Sequence, residues 1–139
     1  MVVEYAVKTP LPARPVGEAL WRGFLGHCPA CGKGAIFSRY ISVNDSCPDC
    51  REELLHQRAD DAPPYLTILV VGHVVVPLAL ALEQARQPEI WIHWLLWLPL
   101  TLVLSLVLLP RFKGMMVALQ WALRMHGFGG YHEEGATEP

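Results

Sequence analysis

The chain has 139 residues, of which 53% are hydrophobic and 17% charged, with a formal net charge of −2. That balance argues against general nucleic-acid binding through phosphate neutralisation. The length leaves room for at most one compact module outside any membrane-embedded part. The first residues are not a basic patch followed by an apolar core, so no signal peptide is expected.

Residues 1–26 divide into an arm and a short helix. Pro10, Pro12 and Pro15 break helices and favour an extended arm up to Pro15. Beyond it, Ala19, Leu20, Trp21, Phe24 and Leu25 recur at helical spacing with Glu18 and Arg22 opposite, which predicts an amphipathic helix. Such a helix lies on a membrane surface or packs on the segment that follows; the pattern alone allows both.

Residues 27–60 carry the strongest chemical signal. All four cysteines fall in two CPxC pairs, Cys28-Pro29-Ala30-Cys31 and Cys47-Pro48-Asp49-Cys50, at zinc-ribbon spacing. A tight turn with cysteines at i and i+3 aims both thiolates at one point, and two such knuckles make a sulfur shell closed to water. Gly32 can take positive φ just past the first knuckle. Arg51 holds that place after the second, at a cost of about 1 kcal/mol for a left-handed residue other than glycine. Between the knuckles, Ala35 to Val43 is rich in β-formers and predicts a small hairpin ending at Asn44-Asp45, with Phe37 and Tyr40 over the metal site. The expected metal is zinc. A rubredoxin-like iron site uses the same ligands, and dithiol redox chemistry is the remaining alternative, although no thioredoxin-type βαβ unit accompanies it. Lys33, Arg51 and His27 stand near enough in sequence to offset the negative charge of four thiolates. His27 and His56 are spare ligands for a site that four cysteines already fill.

Residues 61–110 predict a transmembrane hairpin. Asp60-Asp61 favours the positive end of the following helix and reads as its cap rather than as a cation site. Pro63-Pro64 stiffens the connection from ribbon to membrane. Two runs free of Asp, Glu, Lys and Arg follow, Tyr65 to Leu82 and Trp91 to Leu109, joined by a polar loop from Glu83 to Glu89. At ~1.5 Å per residue each run makes a helix of roughly 27–29 Å, the thickness of a bilayer's hydrocarbon core. A buried hairpin of a soluble protein is the alternative, but so short a chain offers too little protein to cover it. Seven basic residues precede the first run, three follow the second, and only Arg86 lies between. The positive-inside rule then places both termini in the cytoplasm, where thiols stay reduced. Within the runs, His73 and His93 differ in depth by about 10 Å and so do not share a metal. His73 is expected to bond across the hairpin, to Thr101 or to the Leu95 carbonyl that Pro99 leaves free, with Gly72 allowing close approach. Trp91, Trp94 and Trp97 read as an interfacial belt.

Residues 111–126 predict a separate helix, lying in the interface or against the hairpin. Arg111 and Lys113 anchor it, and Met115 to Met125 is too short to span. Residues 127–139, with Gly129-Gly130 and Glu133-Glu134, read as a flexible acidic tail. The fold class expected is therefore a membrane α-helical hairpin with a small N-terminal β zinc-ribbon and a C-terminal interfacial helix. The expected metal ligands are Cys28, Cys31, Cys47 and Cys50.

The ordered set of Cys28-Pro29-Ala30-Cys31-Gly32-Lys33-Gly34 with Phe37, then Cys47 and Cys50, Asp60 or Asp61, the double span, Pro110, Lys113-Gly114 and Gln120-Trp121 resembles the DUF983 family of small bacterial membrane proteins. The resemblance runs from about Arg22 to Arg124. It implies a multi-pass inner-membrane protein with a zinc-ribbon-like module, no accepted activity, and a link to respiratory oxidase biogenesis. The sequence itself holds no nucleophile–base constellation and no phosphate loop. A non-enzymatic docking or assembly component is expected, with the lipid bilayer and a membrane protein as partners and no nucleic acid or small-molecule substrate. The rival expectation is a metallochaperone or thiol-disulfide oxidoreductase acting through the CPxC pairs.

Overall fold

The computed structural model describes residues 13–55 and 62–125. The expectations for the far N-terminal arm, His56, Asp60-Asp61 and the C-terminal tail lie outside them. The described chain contains α1 (Val16–Phe24), α2 (Ala62–Arg86) and α3 (Ile90–Ala122). α3 packs against both α1 and α2.

α2 and α3 form the hairpin. Pro63 and Pro64 stand in the first turn of α2, where a missing N–H breaks no helical bond. The Thr67 hydroxyl donates to the Pro63 carbonyl at 2.8 Å. α2 continues through the expected loop as far as Arg86. It is closed by Gln87 at φ 45°, whose N–H donates to Glu83 O at 3.1 Å. Both helices are long and apolar enough to cross a membrane, with mean hydropathies of 2.3 and 2.2 over their most apolar stretches. Those stretches are scarcely covered by the rest of the protein: Ile68, Leu69, Val76, Leu80, Leu95, Leu98 and Leu102 all stand exposed. Monomeric soluble proteins rarely leave contiguous apolar surfaces of that extent bare. The two helices suggest membrane association.

α3 is longer than a membrane requires. Its 33 residues extend roughly 50 Å, against about 30 Å of hydrocarbon. Its buried residues all lie in the surplus: Phe112, Gly114, Val117, Ala118, Gln120, Trp121 and Ala122. The separate helix expected after Pro110 is thus the last third of α3, and it forms a core instead of lying as an independent interfacial element. Pro110, like Pro77 and Pro99, stands inside its helix without ending it, and its missing N–H leaves the Leu106 carbonyl without a helical donor. The Tyr40 hydroxyl donates to that carbonyl.

The core joins Ala19 of α1, Ile36 and Leu54 of the cysteine-rich segment, and Val117, Ala118, Trp121 and Ala122 of α3. Ala30, Phe37, Val43 and Met116 pack around them. α1 packs here through Ala19, while its Trp21 face remains 62% exposed. α1 and α3 cross at two glycines. A Cβ on Gly23 would overlap the Gly114 carbonyl oxygen and come 2.5 Å from the Ala118 Cβ, and one on Gly114 would overlap the Gly23 carbonyl. Polar ties fix both ends of α1. Arg14 donates to Trp121 O at 2.7 Å and sits 4.3 Å above the Trp121 ring. The Trp121 indole donates to Glu52 at 3.0 Å. At the other end Arg111 donates to Phe24 O at 3.4 Å, and Phe24 meets Phe112 edge-on.

No strand forms among the described residues. Antiparallel bridges join His27 to Ala35, Phe37 to Val43 and Ser46 to Glu53, each a single pair. The knuckles take up so much of this segment in turns that no ladder extends beyond one pair.

Candidate metal centre

The two knuckles use one backbone device. After Cys28, the Gly32 N–H donates to Cys28 O at 2.8 Å, with Gly32 at φ 71°. After Cys47, the Arg51 N–H donates to Cys47 O at 2.9 Å, with Arg51 at φ 61°. Arg51 therefore does adopt the left-handed conformation expected of it. The chain closes behind each pair, Cys28 N–H to Gly34 O at 2.7 Å and Cys47 N–H to Glu52 O at 2.9 Å.

This folding brings the four Sγ atoms within 4.8 Å of one another. The Cys28–Cys50 and Cys31–Cys47 sulfur pairs are both 3.7 Å apart. A disulfide needs ~2.05 Å, and all four cysteines are free thiols. A tetrahedral ion with sulfur at ~2.3 Å needs sulfurs about 3.8 Å apart. The donor set and its spacing fit a closed four-sulfur site that could hold a metal ion. Cys28 and Cys47 are buried, Cys31 is intermediate and Cys50 is exposed.

The thiols differ electrostatically. Hydrogen bonds from the Gly34 and Lys33 backbone N–H groups lower the Cys31 pKa to about 6, and the Gly34 N–H lies 3.4 Å from its sulfur. Burial pushes the Cys28 and Cys50 thiols up. A metal bound by all four sulfurs displaces their thiol protons, so its binding is pH-dependent.

Two residues matter here that the sequence reading passed over. Arg22, placed on the polar face of α1, donates to Pro29 O at 3.1 Å and Ala30 O at 3.4 Å, and pairs with Glu18. It straps the first knuckle to α1. Gly34 has no room for a side chain, because a Cβ there would overlap Cys47 Sγ. The spacing CPxCGxG contained that signal, in its second glycine. Phe37 and Tyr40, expected over the metal, turn to α3 instead: Phe37 lies against Gly114, and Tyr40 reaches Leu106. His27 is exposed and is not among the clustered ligands.

The histidines of the two long helices differ in their contacts. His73 does not bond across the hairpin. Its Nδ1 is 2.7 Å from Leu69 O, one turn back in α2, and the residue is exposed beside Ile68, Gly72, Val76 and Pro77. Nothing approaches Gly72, so no close crossing occurs there. That contact occupies Nδ1 alone, and the exposed ring counts against the expected structural bond across the hairpin and in favour of a face open to a partner. His93 makes the link between helices, with Nε2 3.0 Å from Glu83 and Nδ1 accepting from the Trp97 indole at 2.9 Å.

The family model described as "Protein of unknown function (DUF983)" matches residues 37–121. The match takes in the second cysteine pair, both long helices and the Gly114–Trp121 core segment, and opens past the first pair. No curated protein and no solved structure gives a match. With more than half of its length matched, the chain belongs to the DUF983 family, whose function is unknown.

Proposed function

We propose that the protein is a membrane-tethered zinc ribbon that presents a cytoplasmic docking surface to a larger inner-membrane complex, as a non-enzymatic assembly component. One observation carries this reading. The segment that gathers the four sulfurs packs its Ile36 and Leu54 into the same core as the extension of α3, so the cysteine-rich surface is fixed to the hairpin. Zinc suits four thiolates in a closed tetrahedral site, and such sites contribute to folding rather than to turnover. Respiratory oxidase biogenesis is the setting that the family resemblance offers.

Metal and thiol analysis of protein purified in mild detergent tests this. The expected result is about one tightly held zinc per chain, with all thiols unreactive until a chelator is added and Cys31 then modified first. Loosely held copper, or a Cys28–Cys31 disulfide that cycles with a reductant, would replace the docking reading with a metallochaperone or thiol-disulfide oxidoreductase. That second reading rests on the access to the cluster that the exposed Cys50 gives.

The basic residues flanking the hairpin support a cytoplasmic position for both termini under the positive-inside rule. A reporter active only outside the cytoplasm should be silent at Pro139 and active near Gln87. The reverse pattern would put the cysteines on the oxidising side and remove the case for a reduced site.

A further inference from the structure

We infer that the tip of the cysteine-rich segment, Arg39-Tyr40-Ile41, is a lipid-contacting element seated in the bilayer surface beside α3. The inference rests on the reading of α2 and α3 as membrane-spanning.

The position of the tip follows from two contacts with α3. Phe37 packs against Gly114. Three residues on, the Tyr40 hydroxyl donates to the Leu106 carbonyl. Those two places on α3 are about 12 Å apart along its axis, so the segment descends α3 towards the membrane. Leu106 lies about 5 Å inside Leu109, the end of the apolar run. The tip therefore reaches the level where hydrocarbon gives way to headgroups.

Its chemistry suits that level. Tyr40 is 49% and Ile41 39% exposed, and Arg39 is also exposed. In water, Ile41 and the Tyr40 ring would be bare apolar surface next to an already apolar helix. In the interface Ile41 meets acyl chains, Arg39 meets phosphate, and the tyrosine ring takes its preferred amphipathic position. The tyrosine hydroxyl also has a built-in acceptor, because Pro110 leaves the Leu106 carbonyl without its helical donor. The end of α1 adds to the same surface: Arg111 reaches Phe24 O, and neighbouring Leu25 is 39% exposed.

Photo-crosslinking in the full-length, metal-loaded protein tests the inference. A benzophenone amino acid is placed at Ile41, at Val76 or at Leu123, in nanodiscs of phosphatidylethanolamine and phosphatidylglycerol. All three positions are exposed. Val76 reports the membrane, and Leu123 is an exposed apolar residue about 25 Å along α3 from Leu106. Lipid adducts at 41 and 76 with only background at 123 are the expected result. Adducts at 76 without lipid at 41, or with a second protein chain captured at 41, would overturn the lipid contact while leaving the spanning hairpin intact. A lack of lipid at 76 would overturn the membrane reading and this inference with it.

Discussion

Replacing Cys31 with serine should remove the bound metal and open the segment from Cys28 to Cys50 to proteolysis, while α2 and α3 stay helical. A structural zinc site contributes on the order of 10 kcal/mol to the folding of its module. Without it, the segment keeps two fully buried large side chains, Ile36 and Leu54. At about 1.5–3 kcal/mol each, they fall short of replacing it. The hairpin is spared because its helices satisfy their own backbone hydrogen bonds in lipid. Metal content and limited proteolysis read the two halves of the outcome separately. A Cys31→Ser protein without metal whose cysteine-rich segment stays resistant would mean that the apolar core alone holds it.

The second large effect is expected at Gly114. Gly114→Leu drives a side chain into the backbone of α1, because even the Cβ would overlap the Gly23 carbonyl. Neither helix can yield locally, since the contact is backbone against backbone. Overpacking of this kind costs typically 1–3 kcal/mol or more, and moving α1 away would also uncover Ala19, Val117 and Ala118. The module should lose protease resistance and thermal stability. Gly72→Leu is the matched control, because Gly72 meets nothing within 4 Å, and it should leave the protein unchanged. Equal behaviour of the two variants would show that the crossing of α1 and α3 is not close in solution.

The pattern that was legible in the sequence is the pattern set by short-range chemistry. The cysteine spacing brought four sulfurs together because each knuckle closes within a few residues. The apolar runs became long helices because hydropathy and length suffice to specify them. What the sequence left hidden was decided by contacts between distant parts. Pro110 looked like an end of the hairpin, but α3 runs on through it, and Tyr40, far away in the chain, donates to the carbonyl it leaves free. Lys113-Gly114 looked like part of a basic anchor, and Gly114 proved to be a crossing point that only a partner helix could reveal. Arg22 looked like the polar side of a surface helix because the carbonyls it strikes belong to the first knuckle, which is not helical. The histidines were assigned by depth alone. Depth says nothing of rotation about the helix axis: His73 keeps one ring nitrogen on Leu69 O and stands exposed, while His93 and Glu83 link the helices.

The unbroken run of α3 from the hairpin into the core has a mechanical consequence. A module on a flexible tether samples every azimuth around its anchor, and a partner in the membrane must wait for the right one. Here the sulfur cluster, α1 and the second long helix share a single rod, pinned at Gly114 below and at Leu106 where the tip clasps it. Turning the hairpin about its own axis turns the cluster by the same angle. A partner that packs sideways against α2 or α3 therefore meets the cysteine-rich surface at one fixed bearing, and handedness of assembly is set before the two proteins touch.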